Sequence, residues 1–131
     1  MFQRDPDLDV CVTLVELFWD DGLKQEAQRL RHHERAHEVP GYATTAMLAK
    51  RQIFETVGVF NDDLWFADSV DWFLRARDIG CRVEVLQETL VYHRMHSTNL
   101  TRRFIDRSRE EFLRIVKRNL DRSRSEDYRQ D

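Results

Sequence analysis

Apolar and polar positions change period several times along this chain, and each change marks an expected element. Residues 8–19 (LDVCVTLVELFW) are rich in Val, Leu and aromatics with partial alternation, which predicts a long or bent strand. The stretch 21–38 is strongly polar, with Leu23, Ala27 and Leu30 as its few apolar residues at helical spacing, so an exposed helix is expected there. Pro40 and Gly41 then punctuate the chain, 42–48 suits a short strand, and 50–57 suits a helix that Gly58 terminates.

The best-delimited helix is 68–79 (DSVDWFLRARDI), which sets Val70, Phe73, Leu74 and Arg77 on one face and meets Gly80 as its stop. Cys81, Val83 and Val85 alternate with Arg82 and Glu84, the period of a strand with one buried face, and a second strand over 89–95 is expected to follow. From Thr101 a last amphipathic helix carries Ile105, Phe112, Val116 and Leu120 at spacings of seven, four and four. These elements divide the chain into a main unit over 1–101, a helix over 102–123 packed on it, and a polar tail over 124–131.

Composition narrows the picture. The chain has 131 residues, 41% hydrophobic and 34% charged, enough for one compact domain with a densely charged surface. No apolar run nears the roughly 20 residues that span a bilayer, and residues 1–5 lack a signal-peptide core. A cytoplasmic location is therefore the expectation. Cys11 and Cys81 lie far apart and form no CxxC pair, so buried free thiols are expected rather than a disulfide or a zinc cluster. The basic end after Arg102 is interleaved with Asp106, Glu110, Glu111 and Asp121, which fits a solvated helix face better than a nucleic-acid surface.

Four local patterns could carry chemistry. His33, Glu34 and His37 match HExxH, in which two histidines on one helical face bind zinc and the Glu activates water. The neighbouring charges Arg29, Arg31, Arg35 and Glu38, and Pro40 just beyond, fit a surface helix instead, with Glu55 as the nearest third ligand for the zinc protease alternative. Asp5, Asp7 and Asp9 form overlapping Asp-x-Asp patterns, but no apolar strand precedes them, so a polar lead-in to the first strand is expected.

The acidic run 61–71 (NDDLWFADSVD) puts Asp68 before a helix, with Asp71 three residues on in a capping-box position. Capping accounts for both carboxylates. A carboxylate beside Trp65 and Trp72 equally suits a general base next to a sugar-stacking surface. Finally, Arg94 and His96 end a strand pointing the same way, with Asn99 nearby, and could meet phosphate, a metal or carboxylates.

Taken in order, GYATTAMLAKRQIFETVGVF, FADSVDWFLRARDIG and VEVLQETLVYHRMHSTNLT resemble the C-terminal, acceptor-side half of family 2 glycosyltransferases of the GT-A type. The resemblance implies an α/β domain, a partial GT-A (nucleotide-diphospho-sugar transferase-like) fold whose small mixed sheet packs with helices and which lacks the N-terminal Rossmann-like half. It implies inverting sugar transfer from a nucleotide-sugar to a hydroxyl acceptor, with Asp68 or Asp71 as base and Trp65 and Trp72 binding acceptor. Arg94, His96 and Asn99 match the family's "RxHxxN" element near metal and diphosphate, and a divalent metal (Mn or Mg) belongs to the complete family enzyme.

Ser69 stands where the family carries its second carboxylate. Because the donor-binding half and its Asp-x-Asp motif are expected to lie outside this chain, the isolated chain is expected to be inactive or to depend on a separate donor-binding chain or a homodimer. A non-catalytic binding or dimerisation module derived from such an enzyme is the alternative.

Overall fold

The computed structural model describes residues 1–33 and 37–127. Its centre is β1, Val10–Trp19, whose β-branched residues favour extended backbone. β4, Val83–Met95, runs parallel to β1 along its whole length. Since a strand has two edges, the short strands β2 (Val39–Pro40) and β3 (Met47–Ala49) share the other, both antiparallel to β1. A mixed sheet of 4 strands results.

Two strands were expected over 81–86 and 89–95, whereas one continuous strand forms. Thr13 pairs with Leu86, Leu14 with Thr89 and Val15 with Val91, so Gln87, Glu88 and Leu90 are absorbed as bulges against β1. The polar Gln87-Glu88 step reads locally as a turn, but β1 supplies a template that keeps the chain extended across it. The expected strand over 42–48 is likewise trimmed to β3, with a single 3-10 turn, Thr44–Ala46, before it. Gly41 must be a glycine there, because a Cβ would meet Ala46 Cβ and Val15 Cγ2 at 2.5 Å each while its N–H donates to the Thr13 carbonyl.

The polar stretch after β1 forms a 3-10 turn, Asp21–Leu23, and a short helix α1, Lys24–Leu30, rather than a helix through residue 38. It carries no buried residue, and with so thin an apolar stripe nothing in the core holds further turns. α2, Ile53–Val57, stops at Gly58 (φ 85°), as expected. α3 is Asp68–Asp78, closed by Gly80 at φ 75°, whose N–H donates to Arg77 O while Cys81 N–H reaches Ala76 O in a Schellman arrangement.

Asp71, Trp72 and Ala76 are the deepest positions of α3. Val70, Phe73 and Leu74 are half-buried, packed at the margins of the core, and with Arg77 they line an open groove with Tyr42 and Val83. Trp72 is 0% exposed and packs with Val10, Val12 and Val57, its ring 5.2 Å from Phe54 and 5.6 Å from Phe60. Its indole N–H donates to Gly58 O at 2.8 Å, which removes the cost of burying that donor.

α4 (Leu100–Arg103) and α5 (Ile105–Asp127) complete the fold, with Ile115 of α5 packed on Leu64 and Ala67 before α3 and on Val70 and Leu74 within it. Cys11 and Cys81 are free, and burial, followed by the Asp9 charge, pushes the Cys81 thiol up from its ordinary value. Among the described residues no helix is long and apolar enough to cross a membrane. Trp72→Ala is expected to lower stability by about 3–5 kcal/mol in urea denaturation, the cost of a large core cavity. A loss below about 1 kcal/mol would contradict this packing.

Candidate functional site

The parallel strands β1 and β4 finish side by side at Trp19 and Met95, where Asp20 N–H donates to Met95 O at 2.9 Å. In open α/β sheets this carboxyl end of the strands is where ligands bind. The loop that follows β4 carries the expected trio Arg94, His96 and Asn99, and the three are brought together. Asn99 Oδ1 accepts the His96 N–H at 2.5 Å and Asn99 Nδ2 donates to Arg94 O at 3.2 Å, so Asn99 staples the turn. His96 Nδ1 lies 2.9 Å from Thr98 Oγ1, and the Arg94 side chain is exposed. The outward groups of the trio are thus Arg94 and the half-buried His96.

Glu26 on α1 braces the same end. It accepts from both terminal nitrogens of Arg102, the Nη1 bond measuring 2.9 Å, and from the Trp19 indole at 3.0 Å. Arg102 first, and then Trp19, holds the Glu26 carboxyl below its ordinary value.

At the start of α3 the carboxylates behave differently from a capping box. Ala67 occupies the cap position without a side-chain bond, Asp68 is the first helical residue, and Asp71 N–H is satisfied by Ala67 O at 2.9 Å. Asp71 is 2% exposed, pairing with Arg75 at 3.0 Å and with Arg118 from α5. Arg75 in turn donates to Val57 O and Val59 O, tying α3 to the turn after α2. Asp71 is therefore a buried carboxylate paired with two arginines, and Trp72 is a core residue.

Asp68 and Trp65 remain accessible. Asp68 is half-buried with Ser69 Oγ 3.5 Å away, and Trp65 is 56% exposed with the Arg107 guanidinium 4.1 Å from its ring centre. Phe104, just past α4, lies 6.5 Å from the Trp65 ring and 6.4 Å from Phe66, so the helix opening and the segment leading from the strand-end loop share an aromatic contact.

Glu111 on α5 was not singled out from the sequence, yet it organises this region. Only 4% exposed, it accepts the N–H groups of Trp65 and Phe66 at 2.9 Å each on Oε2 and Arg107 Nε at 3.1 Å on Oε1. Burial pushes its carboxyl up, but the Phe66 N–H, Arg107 and the Trp65 and Ala67 N–H groups together outweigh it and hold the group below its ordinary value. The Arg107 to Glu111 spacing of four was the visible signal. Backbone partners some 45 residues away were not.

The remaining patterns fall outside this site. α1 ends at Leu30, so His33 lies beyond the helix, bonded through its N–H to Leu30 O, and His37 Nε2 sits 2.6 Å from Arg31 O. Glu34 lies outside the described residues, and the continuous helix that HExxH requires does not extend to His33. Asp5 pairs with Arg82 at 2.6 Å and Asp9 accepts the Arg82 N–H at 2.9 Å, a clamp at the opposite end of β1 and β4, as a polar lead-in would make.

Among the described residues no three His, Cys, Asp or Glu side chains gather as a metal site. The molecule so described is a mixed α/β domain with a polar, partly aromatic surface near the carboxyl ends of two parallel strands. Comparison with protein-family models, curated proteins and solved structures found no match.

Replacing Glu111 by Gln keeps the shape and removes the charge. Because the folded carboxyl is held low, its contribution is present at neutral pH and fades as pH falls through the folded value. Glu111→Gln is expected to cost roughly 2 kcal/mol at neutral pH, with the gap from wild type closing in acid. Urea midpoints measured at both pH values check this, and an equal gap in acid would assign Glu111 a packing role only.

Proposed function

We propose that the chain forms the acceptor-side part of an inverting glycosyltransferase of the family 2, GT-A type. The reading rests on the order of the three motif segments. It is supported by two of them meeting functional requirements: an accessible carboxylate and aromatic at a helix opening, and a cationic loop at the carboxyl end of parallel strands.

In this reading the Asp68 carboxylate takes the proton from an acceptor hydroxyl held against Trp65. The freed oxygen attacks the anomeric carbon of the donor sugar as the bond to the nucleoside diphosphate breaks on the opposite side, inverting the centre. Arg94 and His96 supply charge and hydrogen bonds to the leaving diphosphate. The described residues do not gather the ligands for the Mn or Mg ion of the complete family enzyme, and no step is routed through one. The nucleotide cradle is a contribution from outside the residues described here.

A binding module without catalysis is the second reading, favoured by Ser69 in place of a second carboxylate and by the engagement of Asp71 with Arg75 and Arg118. Ligand-observed NMR against disaccharides of glucose, galactose, mannose and N-acetylglucosamine tests the shared claim. Binding is expected for the wild type and is expected to be lost in Trp65→Ala, and a wild type that binds no saccharide would sink both readings. Where UDP- or GDP-sugars with manganese give transfer, Asp68→Asn should slow it roughly 100-fold or more.

A further inference from the structure

α5 packs on the domain with its charged side. The residues turned toward the body are Glu111, Ile115, Arg118 and Arg122, of which Arg118 pairs with Asp71 and Arg122 with Asp78, both on α3. An amphipathic helix of a globular protein ordinarily buries its apolar stripe. Here that stripe faces outward: Ile105 is 46% exposed, Phe112 49%, Leu113 66% and Leu120 52%, with Val116 half-buried among them. At 3.6 residues per turn these side chains fall within about a third of the helix circumference, a surface that water does not favour.

Two features of this surface say what covers it. The stripe is symmetric about the Phe112–Leu113 step, because antiparallel superposition on itself sets Ile105 against Leu120, Arg109 against Val116 and Phe112 against Leu113. The flank beside the stripe is also polarised. Asp106 and Glu110 lie before the midpoint, whereas Arg114, Lys117 and Arg124 lie after it, with Asp121 the exception. In an antiparallel pair this flank meets its own counterpart, which brings Glu110 near Arg114 and sets Asp106 between Lys117 and Asp121 of the second copy. In a parallel pair this flank would instead face the opposite flank of the second copy, and these pairs would not form.

We infer that α5 pairs antiparallel with α5 of a second copy of this chain, across a two-fold axis at Phe112–Leu113. The contact is isologous, so one stripe covers the other and the pairing closes on itself. β4 is the rival surface, since among the described residues only β1 pairs with it, but its bulges at 87–88 and 90 interrupt the row of groups a neighbouring strand would need.

Sedimentation equilibrium from micromolar to millimolar concentration tests the pairing on four proteins, each checked for folding by circular dichroism and thermal melting. The wild type is expected to dimerise. Asp106→Lys with Glu110→Lys gives a wholly basic flank apart from Asp121, and Arg114→Glu with Lys117→Glu gives a predominantly acidic one. Each double variant alone should self-associate at least roughly tenfold more weakly, and an equimolar mixture of the two should recover the dimer.

Leu113→Asp, at an exposed position on the axis, should be monomeric and should melt like the wild type at concentrations too low for the wild type to pair. A wild type that stays monomeric throughout overturns the proposal. So do charge variants that dimerise like the wild type, or a mixture that recovers nothing.

Discussion

Val10 and Val12, both fully buried, sit on the strand to which every other strand is hydrogen-bonded, and the rest of the molecule depends on that arrangement. β4 reads its register from β1 residue by residue, and β2 and β3 complete the opposite edge in two short pieces. The same two valines form the floor on which Trp72 packs, so α3 is oriented by the sheet. The carboxyl ends of β1 and β4, and the loop stapled by Asn99, follow from the parallel pairing. Had β4 run antiparallel, Arg94 and His96 would lie at the other end of the sheet.

The layer above α3 is held by charges as much as by apolar contact. Burying carboxylates such as Asp71 and Glu111 costs several kcal/mol each in desolvation, and only well-directed partners offset it. Arg75 and Arg118 do so for Asp71, and backbone N–H groups with Arg107 do so for Glu111. Such ties are directional where hydrophobic contact is not. They select the face of α5 that docks, and they occupy Asp71 while leaving Asp68 and Trp65 open beside the helix start.

This division bears on the functional reading. Of two carboxylates and two tryptophans that local spacing could not rank, one of each is consumed by the fold. Asp68 and Trp65 carry the proposed chemistry alone, with Arg94 and His96 as the cationic partners at the strand end. Asn99 acts by shaping the turn that presents them. Its amide is spent on the backbone of Arg94 and His96.

Local pattern determined the extent of β1, the boundaries of α3 from the acidic opening to Gly80, the stop at Gly58, and which residues of α5 share a stripe. Those features depend on backbone preferences and side-chain period, which a short window of sequence contains. It also marked the loop around His96 as rich in polar chemistry. Periodicity states that residues lie on one face but is silent on which face meets the core. The full burial of Asp71, Trp72 and Ala76, with Val70, Phe73 and Leu74 left half-buried, and the outward turn of Ile105, Phe112 and Leu120, were therefore decided by tertiary packing. The single bulged β4 and the capture of Trp65 and Phe66 N–H groups by Glu111 had the same origin, since each depends on a partner dozens of residues away in the chain.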